Sequence, residues 1–260
     1  QRLLFDITEG YDQLPILQHA LNQIWKIAGN GKEEMDLLHY AMVGGLPSSE
    51  LPKEDKEKFD IWFHQLPPFK KQLFLKPSLE NILNAHADEL LEIAFSRCKA
   101  KNPSIEEKID NEITKQIIQS TFKCLTKIDD ARAVRNRMTL QEISDIINNP
   151  NIDVKIVGKV LDIFREQGNT FIKPFITDDP DTLKTHKHTI LDITHESLIR
   201  NWDILKIWAK EEHDNLLNFQ DFNKQLQRWI NSDKDAGYLL PIGSLTFFEN
   251  WYISCNPNKY

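Results

Sequence analysis

The sequence predicts a mainly α protein with a small β component, organised as a helical domain, a winged-helix domain and a C-terminal helical connector. Three observations carry this reading. Apolar residues recur at three- and four-residue steps through most of the chain, which gathers them on one face of each helix. Two strand-like runs, Thr170 to Ile176 and Lys187 to Ile193, flank an acidic hairpin-like loop, Thr177 to Thr185. The 260 residues are 40% hydrophobic and 27% charged, enough to bury a core and too apolar for a disordered chain.

The helical domain is placed at residues 1–107. Its first helix is marked by Leu14, Leu17, Leu21, Ile24 and Ala28, with Trp25 on the same side. Asp12 is its expected cap and Gly29-Asn30-Gly31 its stop. Pro15 falls in the first turn, where a missing N–H costs no helical hydrogen bond. A second helix, Met35 to Met42, ends at Gly44-Gly45. Residues 47–79 join a charged, proline-containing stretch to an aromatic piece interrupted by Pro67-Pro68, and read as a loop-rich insertion. Periodicity resumes through Leu79, Ile82, Leu83, Leu90, Leu91, Ile93 and Ala94, and breaks at Pro103-Ser104.

Residues 108–194 follow the order helix, strand, helix, helix, strand, wing, strand, which is that of a winged helix. Ile109, Ile113, Ile117, Ile118, Phe122 and Leu125 mark the first helix, and Arg137-Met138 the first strand. The next helix, Leu140 to Ile147, has Thr139 as cap and Glu142 at the capping-box position. Asn148 to Ile152 form the turn, and a helix from Val154 to Gln167 closes at Gly168. The connector, residues 195–260, carries one stripe of Leu198, Trp202, Leu205 and Trp208. A second runs through Phe219, Phe222, Leu226, Trp229 and Ile230.

Composition and motifs exclude several function classes. The net charge of −7 argues against a broad nucleic-acid surface. From Thr139 to Gly168 the helix–turn–helix has five acids, Glu142, Asp145, Asp153, Asp162 and Glu166, against three bases, Lys155, Lys159 and Arg165. The wing adds Asp178, Asp179 and Asp181. A DNA reader needs cations along the phosphate path, so a winged helix used for protein packing reads better than a DNA-binding regulator, which is kept as the alternative. A further alternative is an interaction adaptor docking through Trp62 and Phe63. Arg132, Arg135 and Arg137 form a compact basic cluster, either a solvated loop or a contact for a phosphate or a neighbouring domain. His186 and His188 have no third ligand at a recognisable spacing, and Ile199 breaks any HExxH reading of His195-Glu196. The sequence has no GxxxxGK[ST] loop, no apolar strand ending in paired acids and no GxSxG. No catalysis of its own is expected. Three scattered cysteines read as reduced thiols of a cytoplasmic protein, and no signal peptide or membrane-length apolar run is visible. A chain that opens at Gln1 directly into helix-like sequence is expected to be a piece of a longer one.

The most informative stretch is Ile193-Thr194-His195-Glu196-Ser197-Leu198-Ile199-Arg200-Asn201-Trp202. A strand ends at Thr194 and a helix begins with His195 in its first turn, where unpaired N–H groups and the helix dipole favour an anion. These residues resemble the HEALIRxW element of the novel STAND NTPases. Leu14-Pro15-Ile16-Leu17-Gln18-His19-Ala20-Leu21 resembles the LPLLQHAL element that follows the nucleotide-binding core in the same family. His39-Tyr40, Gly44-Gly45, Leu83-Asn84-Ala85-His86-Ala87, and Gly237 to Leu245 with Trp251 are similar to supporting segments, in the same order. Residues 47–79 depart from the family, being longer and more aromatic.

The resemblance implies a regulatory, nucleotide-sensing portion of a signalling ATPase. Pro15 would pack against the adenine base. His195 would contact the β-phosphate of ADP and lock the resting state. ADP or ATP with magnesium would belong to the full-length parent, whose N-terminal NTPase core and C-terminal sensor repeats would be partners in the same chain, with homo-oligomerisation on activation. Pro15 read by itself is a first-turn residue, and His195 a buried strand–helix junction.

Overall fold

The structure, a computed structural model, describes residues 2–7, 13–72, 74–99, 111–129, 132–169, 171–177 and 186–255. It is 66% helix and 7% strand, so the mainly α class with a small β component holds. Asp12, the Pro103-Ser104 break, the 107/108 domain boundary and the wing acids Asp178, Asp179 and Asp181 lie outside the described residues. No helix among the described residues is long and apolar enough to cross a membrane.

The first lobe begins with α1 (Arg2–Phe5), α2 (Gln13–Ile27) and α3 (Leu37–Met42). The face that α2 buries is Ile16, Ala20 and Ile24, continued by Ala28 just past its end. The expected stripe is therefore only partly right: Leu14, Leu21 and Trp25 are exposed. Alanines on the buried face let neighbouring helices approach closely, which bulky leucines would prevent. Asp36 starts α3 two residues later than Met35 by a capping box, its carboxylate accepting the His39 N–H at 3.0 Å. Tyr40 is buried and donates to Asp6 at 2.8 Å, tying α1 to α3. A Cβ on Gly45 would lie 1.9 Å from the Tyr40 ring, so the glycine pair serves close packing as well as stopping the helix.

The loop-rich reading of residues 47–79 is corrected. The segment contains a 3-10 turn (Ser48–Glu50), α4 (Lys53–Gln65) and α5 (Pro68–Gln72). Pro52 precedes α4 and Glu54 and Asp55 occupy its first turn, complementing the helix dipole. Phe59, Trp62 and Phe63 fall on one helical face and meet Phe74. The high charge density that suggested a loop is the solvent face of this helix.

The long helix α6 (Leu79–Lys99) serves two cores. Leu79 and Ile82 pack with α2, α3 and α4, whereas Leu83, Ala87, Leu90, Leu91 and Ala94 belong to the core of the second lobe. That lobe contains α7 (Asn111–Cys124), then a hairpin of β1 (Thr126–Asp129) and β2 (Arg132–Arg135). The hairpin has no counterpart in the sequence reading, because polar and charged residues stand at both ends of each strand and only Ile128, Ala133 and Val134 are apolar. β3 (Met138–Thr139) leads into α8 (Leu140–Ile147), whose Thr139–Glu142 capping box forms as expected. Asn148 turns the chain at φ 46°, and Asp153 caps α9 (Val154–Leu161). This helix is shorter than the predicted Val154 to Gln167: it tightens into a 3-10 turn over Asp162–Phe164 before Gly168, at φ 86°.

β4 (Ile172–Lys173) and β5 (Ile190–Ile193) are likewise shorter than their predicted runs. The sheet order is β3-β5-β4, antiparallel throughout, with Met138 opposite Leu191 and Ile172 opposite Ile193. Helix α10 (Glu196–Asn201) breaks at Trp202 and resumes as α11 (Asp203–Asn231). Leu198, Ile199, Trp202, Leu205 and Trp208 are buried with Phe122 and Phe164 in the second-lobe core. The start of the connector is thus built into that lobe. Farther on, α12 (Ile242–Ser254) runs back along α11, with Phe248 against Phe222 and the Trp251 indole donating to Asn215 at 3.1 Å.

Candidate functional site

Residues 15, 18, 19 and 22 lie at helical steps on one face of α2, and that face forms a wall of a cleft of about 220 Å³. Pro15, Gln18, His19 and Asn22 come from the first lobe; Phe171, Thr194, His195 and Ser197 come from the second. Leu83 and Leu198 also line it. Two residues singled out from distant parts of the sequence, Pro15 and His195, therefore line one cavity. Sequence reasoning missed His19, Asn22 and Ser197, although the helical period through Pro15 marks the first two.

The junction at His195 differs in detail from expectation. His195 occupies the N-cap position, with extended backbone at φ −139° and ψ 141°, rather than the first turn. Its side chain makes no capping hydrogen bond, and it is exposed, not buried. The following helix has six residues and begins with Glu196, which pairs with Arg200 at 3.1 Å. An acid in the first turn opposes an anion there, so any attraction for phosphate must come from side chains. Partial desolvation, then the Lys173 and Arg135 cations, hold the His195 imidazole below its ordinary basicity. It is neutral near pH 7 and keeps one N–H to donate.

The basic cluster is only in part a solvated loop: Arg132 and Arg137 are exposed and Arg137 lies between strands, whereas Arg135 is half-buried. Arg132 and Arg135 lie on β2, and Arg135 and Arg137 both reach Asp192, at 3.3 and 3.0 Å. Arg135 also donates to the Ile193 carbonyl at 3.1 Å and the Thr194 carbonyl at 3.4 Å. Their work is local: they brace the strand that ends at His195, and Arg132 is exposed. Arg165, one of the three bases counted for DNA, is buried, donating to Asp162 at 2.8 Å and the Pro174 carbonyl at 2.7 Å. That leaves Lys155 and Lys159 as the exposed cations of this helix–turn–helix.

The lobes meet beside the cleft through a stack of rings. His19 and His86 lie 5.5 and 5.2 Å from the Phe171 ring, centroid to centroid, and His19 Nε2 is 3.2 Å from His86 Nδ1. Burial lowers the pKa of His19 to about 4 and that of His86 well below its usual value, so both are neutral near pH 7. Lys26 donates to the Gly168 carbonyl at 2.9 Å, and Arg97 pairs with Glu166. The Trp202 indole donates to Asp88 at 2.8 Å, and the Asp203 N–H to Asn84 at 2.9 Å. Asn84 and His86, both within the Leu83–Ala87 segment, are thus contacts to the second lobe.

The family model for Novel STAND NTPase 1 matches residues 102–237, just over half of the chain. The chain belongs to the novel STAND NTPase 1 family. The matched span of this STAND NTPase chain includes His195 but not Pro15. Comparisons with curated proteins and with solved structures give no match.

Proposed function

We propose that this chain is the nucleotide-sensing, autoinhibitory portion of a STAND-type signalling ATPase. It joins a helical domain to a winged helix and is not catalytic by itself. The observation that carries the reading is the shared cleft: Pro15 and His195 line one cavity between the lobes. The sheet order β3-β5-β4, with α8 and α9 between its first and last-added strands, supports a winged helix used for packing. The segment after α9 is tied to the first lobe through Lys26–Gly168 and to the shared helix α6 through Arg97–Glu166.

In this reading Pro15 packs against the adenine of ADP, and neutral His195 donates one hydrogen bond to the β-phosphate. A P-loop core elsewhere in a cytoplasmic parent chain supplies the remaining phosphate contacts and the magnesium ion. Closed lobes hold ADP; exchange to ATP, prompted by sensor repeats, lets the winged helix swing away and the protein oligomerise. The nucleotide acts by binding one of two states better.

ATP turnover and nucleotide affinity, measured for this chain beside the full-length protein, test the assignment. The full-length protein should retain ADP while this chain turns over no ATP and binds it weakly. Hydrolysis or tight ATP binding by this chain alone contradicts the proposal.

A further inference from the structure

A second cleft, of about 280 Å³, lies within the first lobe and owes much of its wall to the 47–79 insertion. Its size is near the low end of small-molecule pockets, roughly 300–1,000 Å³. Trp62 and Phe74 meet edge to face at 5.7 Å on one side, and Met42 and Ile82 extend the apolar surface. Lys26 and His86 form a polar end. The rim also holds Lys70 and Glu89, which pair with each other and contribute no net charge.

Lys26 supplies the surplus charge: its ammonium donates to the Gly168 carbonyl, and among the described residues it has no ion pair, although burial lowers its pKa and the Glu89 charge acts on it in the opposite, raising direction. His86 is neutral because burial disfavours its charged form. An aromatic-walled slot with one surplus positive charge matches a flat apolar body carrying one negative charge. We propose that this cleft is a binding site for a small apolar monoanion of the aromatic carboxylate class, with Trp62 and Phe74 on the ring and Lys26 on the carboxylate. Lys26 also holds the Gly168 carbonyl of the second lobe, so ligand and interlobe contact share one ammonium group, which has three N–H donors. The site is separate from the Pro15–His195 cleft and stands whether or not that cleft takes a nucleotide.

The probe is 2-naphthoate, titrated into the protein by calorimetry beside its neutral analogue 2-naphthamide. Saturable one-to-one binding at about 1 mM or tighter is expected for so small a ligand. The amide should bind about tenfold more weakly, since it loses the charge-assisted hydrogen bond. Lys26→Gln should weaken naphthoate by a similar factor, and Met42→Trp should abolish binding by filling the slot. Trp25→Ala, on an exposed face outside the cleft, should change nothing. No saturable binding, equal affinity for acid and amide in the unmodified protein, or loss of binding in Trp25→Ala overturns the proposal. The acid–amide comparison needs no variant and so does not depend on how any variant folds.

Discussion

Asp192 shows how much one buried carboxylate organises. It accepts from Arg135 and Arg137 at the end of the strand that delivers His195 to its cleft. Asp192→Asn keeps the shape but removes the charge, leaving two guanidinium groups short of a partner. A loss of about 1–3 kcal/mol in unfolding free energy is expected, read as a lower urea midpoint. A midpoint within error of the unmodified protein would show that the arginines are ornamental to stability. His19 gives a pH signature. Its pKa falls from 6.5 to about 4 on folding, so the unfolded chain binds more protons in that interval. Stability from this group is complete above pH 6.5, declines as the pH drops toward about 4, and changes no further below that. Denaturant midpoints from pH 7 to 4 should therefore fall less steeply for His19→Gln than for the unmodified chain. Parallel slopes would contradict the assignment of His19 as a buried neutral ring.

Elements were legible in the sequence where the signal is local. The Thr139–Glu142 capping box was readable because its partners lie three residues apart. Thr139→Ala should cost about 1 kcal/mol, visible in thermal unfolding. An unchanged melting temperature would mean that the cap is redundant. In the insertion, high charge density masks a helix whose signal is the helical spacing of Phe59, Trp62 and Phe63. The face of α2 is hard to read because apolar residues lie on more than one side of it: Ile16, Ala20 and Ile24 are buried, whereas Leu14, Leu21 and Trp25 are exposed. The β1–β2 hairpin offers only four-residue strands that are partly exposed, too weak a pattern to stand out. Glycine can be tested at the same scale. Gly45→Ala should destabilise by at least about 1–3 kcal/mol, since the new Cβ would strike the buried Tyr40 ring rather than a flexible tip. Retention of full stability would mean that the α3 end repacks freely.

At the scale of the whole molecule, the two lobes share α6, which holds the second lobe through Arg97–Glu166 and Trp202–Asp88, and close on each other through the His19–His86–Phe171 stack and Lys26–Gly168. No periodicity predicts that Pro15 and His195 meet, because contacts between distant segments depend on the complete fold. Resemblance to a family pointed to both residues, and the fold sets them around one cleft. The family match covers the His195 side, so the Pro15 side stands on the geometry of the cleft and the resemblance of the α2 segment. The central claim is that this cleft holds the diphosphate of a resting-state nucleotide. Its most direct test is the rate of ADP release from the full-length protein, followed with a fluorescent ADP analogue, for His195→Ala beside the unmodified chain. Loss of one hydrogen bond to phosphate should speed release about tenfold or more. An unchanged release rate would remove His195 from the mechanism.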